Sequence, residues 1–203
     1  MELRGYVTLP DEWKLPDLPP WEICAVVVGL IADAIGRLPT AFLRMAPGIA
    51  VHGTATVEAG AILKPPCIIG ADCFVAAGAY LRGGVWLGRS VILGPSVEVK
   101  SSLIGDHSKA AHFNFVGDSV IGADVNIEAG AIVANYRNER SDREIVCFDG
   151  ARLIRTGCDK FGSLIGDHCR IGANAVLAPG TILKAATTVP RLALVDQVAG
   201  LSI

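Results

Sequence analysis

The sequence predicts an all-β solenoid, in which short parallel strands stack coil upon coil, with an N-terminal helix and one long inserted loop. Aliphatic residues recur at every sixth position from Val51 to Val99 without interruption. A small or compact residue, such as Ala55 or Cys67, lies four positions after each of the first eight. A charged stretch over residues 137–162 lacks this pattern, which resumes after it. Neither a helix nor a simple strand has a period of six.

A period of six is typical of a triangular prism, in which each six-residue repeat makes one short strand and one corner. Three repeats, or 18 residues, then complete a coil, and the coils stack at about 4.8 Å. The aliphatic and small positions point inward, so Cys67, Cys73 and Cys169 are predicted to be core residues. The frame slips by one residue between Val99 and Ile104 and again before Ile121.

The segment from Trp21 to Leu38 is predicted to be a packed helix, because charged residues interrupt it and Pro39 ends it. A solenoid exposes strand edges and apolar core at its ends, so we expect this helix to cap the open first coil. The predicted division is an N-terminal extension with the capping helix (1–48), the β-helix (49–190) and a C-terminal tail (191–203).

The inserted loop, residues 137–162, contains Asp149-Gly150 between two segments of β-forming residues. This dipeptide is a typical two-residue hairpin signal. We therefore expect a β-hairpin at the tip of the loop, and we expect the loop to pack on a neighbouring subunit.

The composition excludes several classes of function. The chain of 203 residues is long enough for one principal domain, and its formal net charge of −2 offers no general attraction to nucleic acid. No apolar run reaches the roughly 20 residues that a membrane span requires. The six cysteines form no C-x-x-C pair, and no signal peptide is evident. We expect a reduced, cytoplasmic protein that binds neither nucleic acid nor membrane.

Two stretches carry a family resemblance: KSSLIGDHSKAAHFNFVGDSVIG at residues 100–122 and NIEAGAIVANY at residues 126–136. They resemble the acetyltransferase domain of the bifunctional glucosamine-1-phosphate acetyltransferase/N-acetylglucosamine-1-phosphate uridylyltransferases. The long insertion followed by KFGSLIGD, starting at Lys160, is similar to archaeal sugar-phosphate nucleotidylyltransferase versions of that domain. The resemblance covers about Val51 to Val189 and implies a left-handed parallel β-helix of hexapeptide repeats. No Gly-rich nucleotidyltransferase signature precedes it, so uridylyl transfer is not expected.

The resemblance also implies site residues. His112 matches the family's catalytic base. The substrate-binding residues would be Arg82, Lys100, Phe115, Asn126 and Lys160, and the cofactor-binding residues would be Asn135, Tyr136 and Ala173. The sequence departs from the family at three places: Phe115 replaces a tyrosine, Ala173 replaces a serine, and Arg137-Asn138 replaces Asp-Gly.

The implied activity is an acyl-CoA-dependent sugar N-acyltransferase, with acetyl-CoA or another acyl-CoA as co-substrate and no metal required. The acceptor would be an amino sugar phosphate or a nucleotide-linked amino sugar. An amine that attacks a thioester must lose a proton, and an imidazole is well suited to accept it near neutral pH. Backbone N–H groups at coil corners or the Asn135 amide could stabilise the oxyanion.

Lys64, Arg82 and Lys100 are separated by 18 residues each, so they should stack on one outer face of consecutive coils. Three like charges in register favour an anion site for the phosphate of the acceptor. We also expect a homotrimer with active sites between subunits, because the apolar faces that carry Trp86, Phe113 and Phe115 exceed what one solenoid covers.

Two alternatives remain open. The first is a non-catalytic trimeric scaffold that binds a sugar nucleotide or a protein partner, and thiol release from acetyl-CoA would distinguish it from the enzyme. The second is a zinc enzyme similar to the hexapeptide-repeat carbonic anhydrases, since His107 and His112 have the H-x4-H spacing. Zinc catalysis requires a third protein ligand, and His52 lies about three coils away, which argues against this alternative.

Overall fold

The computed structural model describes residues 3–200 and confirms the predicted solenoid, a left-handed parallel β-helix of hexapeptide repeats. Two short 3-10 helices, Leu3–Gly5 and Asp11–Trp13, precede helix α1 (Pro20–Arg37). The strands that follow are β1 (Phe42–Ala46), β2 (Ile49–His52), β3 (Thr56–Val57), β4 (Ile62–Leu63), β5 (Cys67–Ile69), β6 (Phe74–Val75), β7 (Tyr80–Leu87), β8 (Ile92–Leu93), β9 (Glu98–Ile104), β10 (Lys109–Ala110), β11 (Phe115–Gly117), β12 (Val120–Ile121), β13 (Asn126–Ile127), β14 (Ile132–Val133), β15 (Val146–Phe148), β16 (Leu153–Arg155), β17 (Ser163–Ile165), β18 (Arg170–Ile171), β19 (Val176–Leu177), β20 (Thr181–Leu183), β21 (Thr188–Val189) and β22 (Leu194–Val195).

The strands form the three faces of a prism. The first face contains β2, β5, the C-terminal parts of β7 and β9, β12, β17 and β20. The second face is a separate sheet of β3, β6, β8, β10, β13, β18 and β21. The third face contains β4, the N-terminal parts of β7 and β9, β11, β14, β19 and β22. All of these pairings are parallel, so each coil lies directly over the next.

The interior of the prism is filled by the aliphatic positions of the six-residue repeat. Leu81, Leu87, Leu93 and Val99 are fully buried in one continuous cluster, together with the compact residues of the second series. Cys67, Cys73 and Cys169 belong to this cluster, which confirms them as core residues. Burial raises the pKa of the Cys67 thiol to about 12, so this sulfur stays neutral.

Helix α1 lies along the first face rather than over the open end of the first coil. Its contacts are with β5, β7 and β9, while β1 pairs in antiparallel fashion with β2 at the edge of the solenoid. The outward positions of the first face are all apolar and buried: Ala50, Ile68, Trp86, Leu103, Val120, Leu164 and Ile182. Without α1 this row of apolar side chains would be exposed to solvent. Its burial therefore holds the helix against the side of the prism.

This packing corrects the role expected for Trp86. Its side chain is 4% exposed and stacks on Trp13 of the N-terminal segment, with ring centroids 4.8 Å apart. Trp86 is therefore covered by its own chain and is not available to a neighbouring subunit.

The two frame slips are corners shortened by one residue. Strand β7 turns between Arg82 and Val85 with two glycines, whereas β9 makes the same turn with Ser101 alone. The next coil again uses one residue, Asp118. Both single residues adopt positive φ angles, +47° for Ser101 and +43° for Asp118, which allows the tighter turn.

The inserted loop packs on its own chain, and its contact with a neighbouring subunit stays a prediction. Strands β15 and β16 form the predicted hairpin, and β15 contacts β20. Ile145, Cys147 and Phe161 are fully buried in the cluster that α1 forms on the first face. The Phe161 ring meets Trp21 edge-on at 6.1 Å. Apolar residues in the loop thus extend the cover that α1 provides.

Among residues 3–200, no helix has the length and apolar character needed to cross a membrane. The division into 1–48, 49–190 and 191–203 stays a proposal.

Candidate functional site

Arg82 and Lys100 stand opposite each other on the third face, on strands β7 and β9, as their 18-residue spacing predicts. Lys64 lies one coil earlier, where its backbone N–H donates to the Leu81 carbonyl at 2.8 Å. The next coil has Gly117 at the equivalent position. The row of cations therefore ends at Gly117.

Carboxylates partner two of these cations. The Arg82 guanidinium donates to Glu98 Oε1 from Nε at 2.8 Å, and its Nη2 lies 2.7 Å from the same oxygen. The guanidinium also lies 5.9 Å from the centre of the Tyr80 ring. Among the described residues, Lys64 has no carboxylate partner. The row is thus less positive than three free cations would be.

Lys100 is bound by a carboxylate from the next coil. Its Nζ donates to Asp118 Oδ1 at 2.8 Å and to Oδ2 at 2.5 Å. The Asn135 side-chain amide also donates to Asp118 Oδ2. Only 19% of the Lys100 side chain and 10% of the Asp118 side chain are exposed. Asp118 therefore connects a predicted substrate residue with a predicted cofactor residue.

Phe115 and Asn135 meet over Gly117. A Cβ atom at Gly117 would lie 2.8 Å from Cε1 and Cζ of Phe115 and 2.7 Å from Cγ of Asn135. Glycine is required here because any side chain would displace both groups. The structure therefore gathers four predicted site residues on the third face: Arg82, Lys100, Phe115 and Asn135.

His112 lies at the corner between the second and third faces, after β10. Its side chain is exposed, and its carbonyl accepts a hydrogen bond from the Gly130 N–H at 2.9 Å. A Cβ atom at Gly94 would lie 3.3 Å from His112 Nδ1, so the ring packs closely against the preceding coil. The neighbouring Phe113 is 68% exposed. The imidazole is accessible and partly held in place.

Asn126 and Ala173 belong to a second group near this corner. Asn126 lines a cleft of about 350 Å³ on the second face, together with Glu128, Arg170 and Arg191. The Ala173 N–H donates to Glu128 Oε2 at 2.8 Å, and Arg191 binds the same carboxylate through Nε and Nη2 at 2.8 and 2.9 Å. The hydrogen bond from Arg191 lowers the pKa of Glu128.

Tyr136 and Lys160 lie at the two ends of the inserted loop. The Phe161 N–H donates to the Asn135 carbonyl at 3.1 Å, which brings these ends together. Arg143 lies 5.3 Å from the centre of the Tyr136 ring, and Lys160 is exposed.

Arg137, one of the departures from the family, is buried and has a structural partner. Its guanidinium donates to both oxygens of Asp196, at 2.8 Å each, and to the Pro179 carbonyl at 3.1 Å. Sequence reasoning missed the carboxylates Glu98, Asp118 and Asp196. A signal existed for Asp118, because it lies where the repeat loses one residue.

Within residues 3–200, no group of three or more His, Cys, Asp or Glu side chains could hold a metal ion. A cleft of about 340 Å³ lined by Trp13, Phe42, His52 and Trp86 lies at the side of the first face, and none of the predicted site residues lines it.

Two family models match the chain. The C-terminal domain of GMPPB matches residues 45–138, and the hexapeptide repeat of succinyl-transferase matches residues 164–185. A bifunctional sugar-1-phosphate nucleotidylyltransferase/acetyltransferase from Sulfurisphaera tokodaii is 38% identical over 104 residues, which are 51% of this chain and 25% of that protein. The bifunctional protein GlmU from a Picosynechococcus species is 41% identical over 87 residues, 42% of this chain and 15% of that protein.

The fold and the repeat define a hexapeptide-repeat protein. The chain is similar to the sugar-1-phosphate nucleotidylyltransferase/acetyltransferases over about half of its length. It spans a quarter or less of the length of these curated relatives. A solved structure of AntD, an N-acyltransferase from Bacillus cereus in complex with dTDP and coenzyme A, overlaps with a TM-score of 0.36 at 17% identity, covering 73% of this chain and 70% of that one. An overlap of this extent supports no inference.

Proposed function

We propose that the protein transfers an acetyl or other acyl group from acyl-CoA to the amino group of an amino sugar that carries a phosphate or a nucleotide. The observation that carries the proposal is the cluster on the third face. Arg82, Lys100 and Asn135, which the family resemblance assigns to the two substrates, come together there although they are far apart in the sequence.

In this reaction the acceptor nitrogen attacks the thioester carbon, and His112 takes the proton that the nitrogen loses. The carbon–sulfur bond then breaks, and the sulfur leaves as the free thiol of CoA after taking up a proton. The exposed imidazole at the coil corner is accessible to a substrate on either adjoining face. The Asn135 amide or corner N–H groups donate to the oxyanion.

The phosphate of the acceptor binds along Lys64, Arg82 and Lys100. Glu98 and Asp118 already accept hydrogen bonds from two of these cations, so the phosphate shares the cations with carboxylates. Arg82 offers several N–H donors in a plane, and Lys64 adds a cation one coil away. The carboxylates orient the cations and weaken the attraction for anions at the same time.

The proposal includes a homotrimer. Phe74 and Ile92 lie in register on the second face and are 36% and 37% exposed, and Phe113 projects from the adjoining corner. Because α1 and the inserted loop cover the first face, subunits would meet through the other two faces.

One observation favours a second candidate, the non-catalytic scaffold. Phe115 stands over Gly117 without the hydroxyl that a tyrosine would offer there. Arg82 and Lys100 are both paired with carboxylates of the same chain. In this alternative the third face binds a sugar nucleotide or a protein partner and no thiol is released.

Thiol release from acetyl-CoA separates the two candidates. The purified protein is assayed with amino sugars, their 1-phosphates and UDP-linked amino sugars. The enzyme proposal expects thiol release with at least one phosphorylated acceptor, and expects His112→Ala to abolish it while acetyl-CoA binding persists. His107→Ala is the matched control, because His107 is also an exposed corner histidine. Full turnover by His112→Ala would refute the assignment of the base.

A further inference from the structure

The Asp118 carboxylate holds Lys100 and Asn135 at the same time. We propose that Asp118 is a positioning residue that couples the acceptor subsite at Lys100 to the acyl-donor subsite at Asn135. The assignment of these two subsites rests on the proposed function, whereas the coupling itself rests on the contacts of Asp118.

Both oxygens of Asp118 are engaged. Oδ1 accepts from Lys100 Nζ, and Oδ2 accepts from both Lys100 Nζ and Asn135 Nδ2. The side chain is 10% exposed, so water competes little for these bonds. Hydrogen bonds to a charged group are stronger than neutral ones, and a low local dielectric strengthens them further.

The backbone fixes the position of this carboxylate. The Asp118 N–H donates to the Lys100 carbonyl at 2.8 Å, and the Asp118 carbonyl accepts from the Gly162 N–H at 2.9 Å. Asp118 thus ties the coil of Lys100 to the residue at which the inserted loop returns. The corner is one residue shorter than the corner at Gly83 and Gly84, so the residue cannot shift along the turn without breaking these bonds.

The carboxylate also lies near helix α1. Burial raises the pKa of the Cys24 thiol on α1, and the charge of Asp118 raises it further. Because the Asp118 side chain is mostly buried, its charge is poorly screened by solvent, so a change at one of its partners is felt at the other.

The contacts of Asp118 predict how binding at one subsite affects the other. An anion that binds Lys100 draws the ammonium away from Asp118, and the carboxylate then interacts more strongly with the Asn135 amide. The backbone carbonyl of Asn135 also accepts a hydrogen bond from the Phe161 N–H, where the inserted loop returns to the solenoid. Occupation of one subsite therefore changes the geometry of the other, and linkage requires the reverse effect to be equal.

The first test needs no substrate. The side-chain amide resonance of Asn135 is followed by NMR in the wild-type protein and in Lys100→Ala, and again in an Asp118→Asn background. We expect Lys100→Ala to shift the Asn135 amide when Asp118 is present, and to leave it unchanged in the Asp118→Asn background. If the chemical shift of the Asn135 amide is the same in Lys100→Ala as in the wild-type protein, the coupling is wrong.

The second test uses turnover. Asp118→Asn keeps the size of the side chain but not its charge. Asp118 holds two site residues, whereas Glu98 binds Arg82 alone, so the loss of positioning should outweigh the weaker competition for the cation. We therefore expect KM for both the acceptor and acetyl-CoA to rise about ten-fold or more. Asp106→Asn is the matched control, since Asp106 binds the Arg89 N–H at a different corner. A purely structural role predicts a lower Tm with both KM values unchanged, which would also overturn the proposal.

The two tests fail separately. If the wild-type protein turns over no acceptor, the proposed function fails, and the NMR result alone decides whether Asp118 couples Lys100 to Asn135. If turnover occurs but Asn135 does not respond to Lys100→Ala, the function stands and the coupling is wrong.

Discussion

Arg137 and Asp196 form an ion pair of two parallel hydrogen bonds, in which Nη1 meets Oδ2 and Nη2 meets Oδ1, both at 2.8 Å. The pair joins the first residue of the inserted loop to the last coil of the solenoid. Only 4% of the Arg137 side chain and 16% of the Asp196 side chain are exposed. The inserted loop is therefore anchored to the end of the prism by a buried pair of charges.

Arg137→Ala should destabilise the protein by about 3 to 5 kcal/mol, because it leaves the Asp196 charge buried without its partner. Urea unfolding followed by circular dichroism measures the change. Arg152→Ala is the control, since the Arg152 side chain is 75% exposed and should contribute less than about 1 kcal/mol. Equal effects of the two substitutions would contradict the assignment of Arg137 as an anchor.

The same pair predicts an acid-dependent loss of stability. The hydrogen bond from Arg137 lowers the pKa of Asp196 below its ordinary value of about 3.9. The stabilisation is therefore fully present above that ordinary value and is lost as the pH falls through the lowered pKa. Unfolding free energies measured from about pH 7 to about pH 2 should fall less steeply at the acid end for Asp196→Asn than for the wild-type protein. Parallel curves for the two proteins would exclude Asp196 as the source of this dependence.

Phe161→Ala should cost about 3 to 5 kcal/mol, because the fully buried ring would leave a cavity beside Trp21. Met45→Ala removes a large apolar side chain that is 65% exposed on β1, away from the proposed subunit interface, and should change stability by no more than about 0.5 kcal/mol. Chemical unfolding followed by tryptophan fluorescence compares the two variants. A small effect of Phe161→Ala would mean that the inserted loop does not pack on its own chain.

Glu98 should limit the affinity for a phosphorylated acceptor. Glu98→Gln removes the charge that faces Arg82, so KM for the phosphorylated acceptor should fall, while KM for acetyl-CoA stays unchanged. Arg82→Ala should raise the acceptor KM by a factor that corresponds to about 1.5 to 3 kcal/mol, which is the range for a charged hydrogen bond. Steady-state kinetics with the phosphorylated and unphosphorylated forms of one amino sugar provide the comparison. Identical responses of the two acceptors would reject Arg82 as a phosphate ligand.

Light scattering at micromolar concentration should give the mass of a trimer. Phe74→Glu on the second face should shift the protein toward the monomer, since a charge would be buried at the interface. Val26→Glu, at a position of α1 that is 45% exposed, is the control, because α1 covers the first face and takes no part in the proposed interface. A monomeric mass for the wild-type protein would contradict the trimer.

The sequence was sufficient to predict the core of this protein. From Val51 onward the inward aliphatic positions of the prism follow from the period of six, with two slips of one residue and a resumption after the inserted loop, because side chains inside a narrow prism must point inward and fit its width. The same period predicts that Arg82 and Lys100 stand opposite each other, since stacked parallel coils keep residues 18 apart in register.

The period could not assign the carboxylates of the site. Glu98 lies two residues before the register partner of Arg82, and its side chain turns toward the guanidinium, whereas Asp118 reaches Lys100 from a shortened corner. A slip in the repeat shows that a corner is one residue shorter, but the backbone conformation of that corner is determined by how the coils stack.

The sequence by itself determined the coil repeat, the core and the stacking of the cations, because each depends on a periodic pattern along the chain. The tertiary structure decided where α1 and the inserted loop pack, which carboxylates bind Arg82 and Lys100, and that Arg137 pairs with Asp196. The packing of α1 and of the loop depends on which apolar surface remains to be buried once the prism has formed, and no local pattern records that surface. The carboxylate contacts depend on side-chain orientation and on the shape of the corners, which the period of six does not encode.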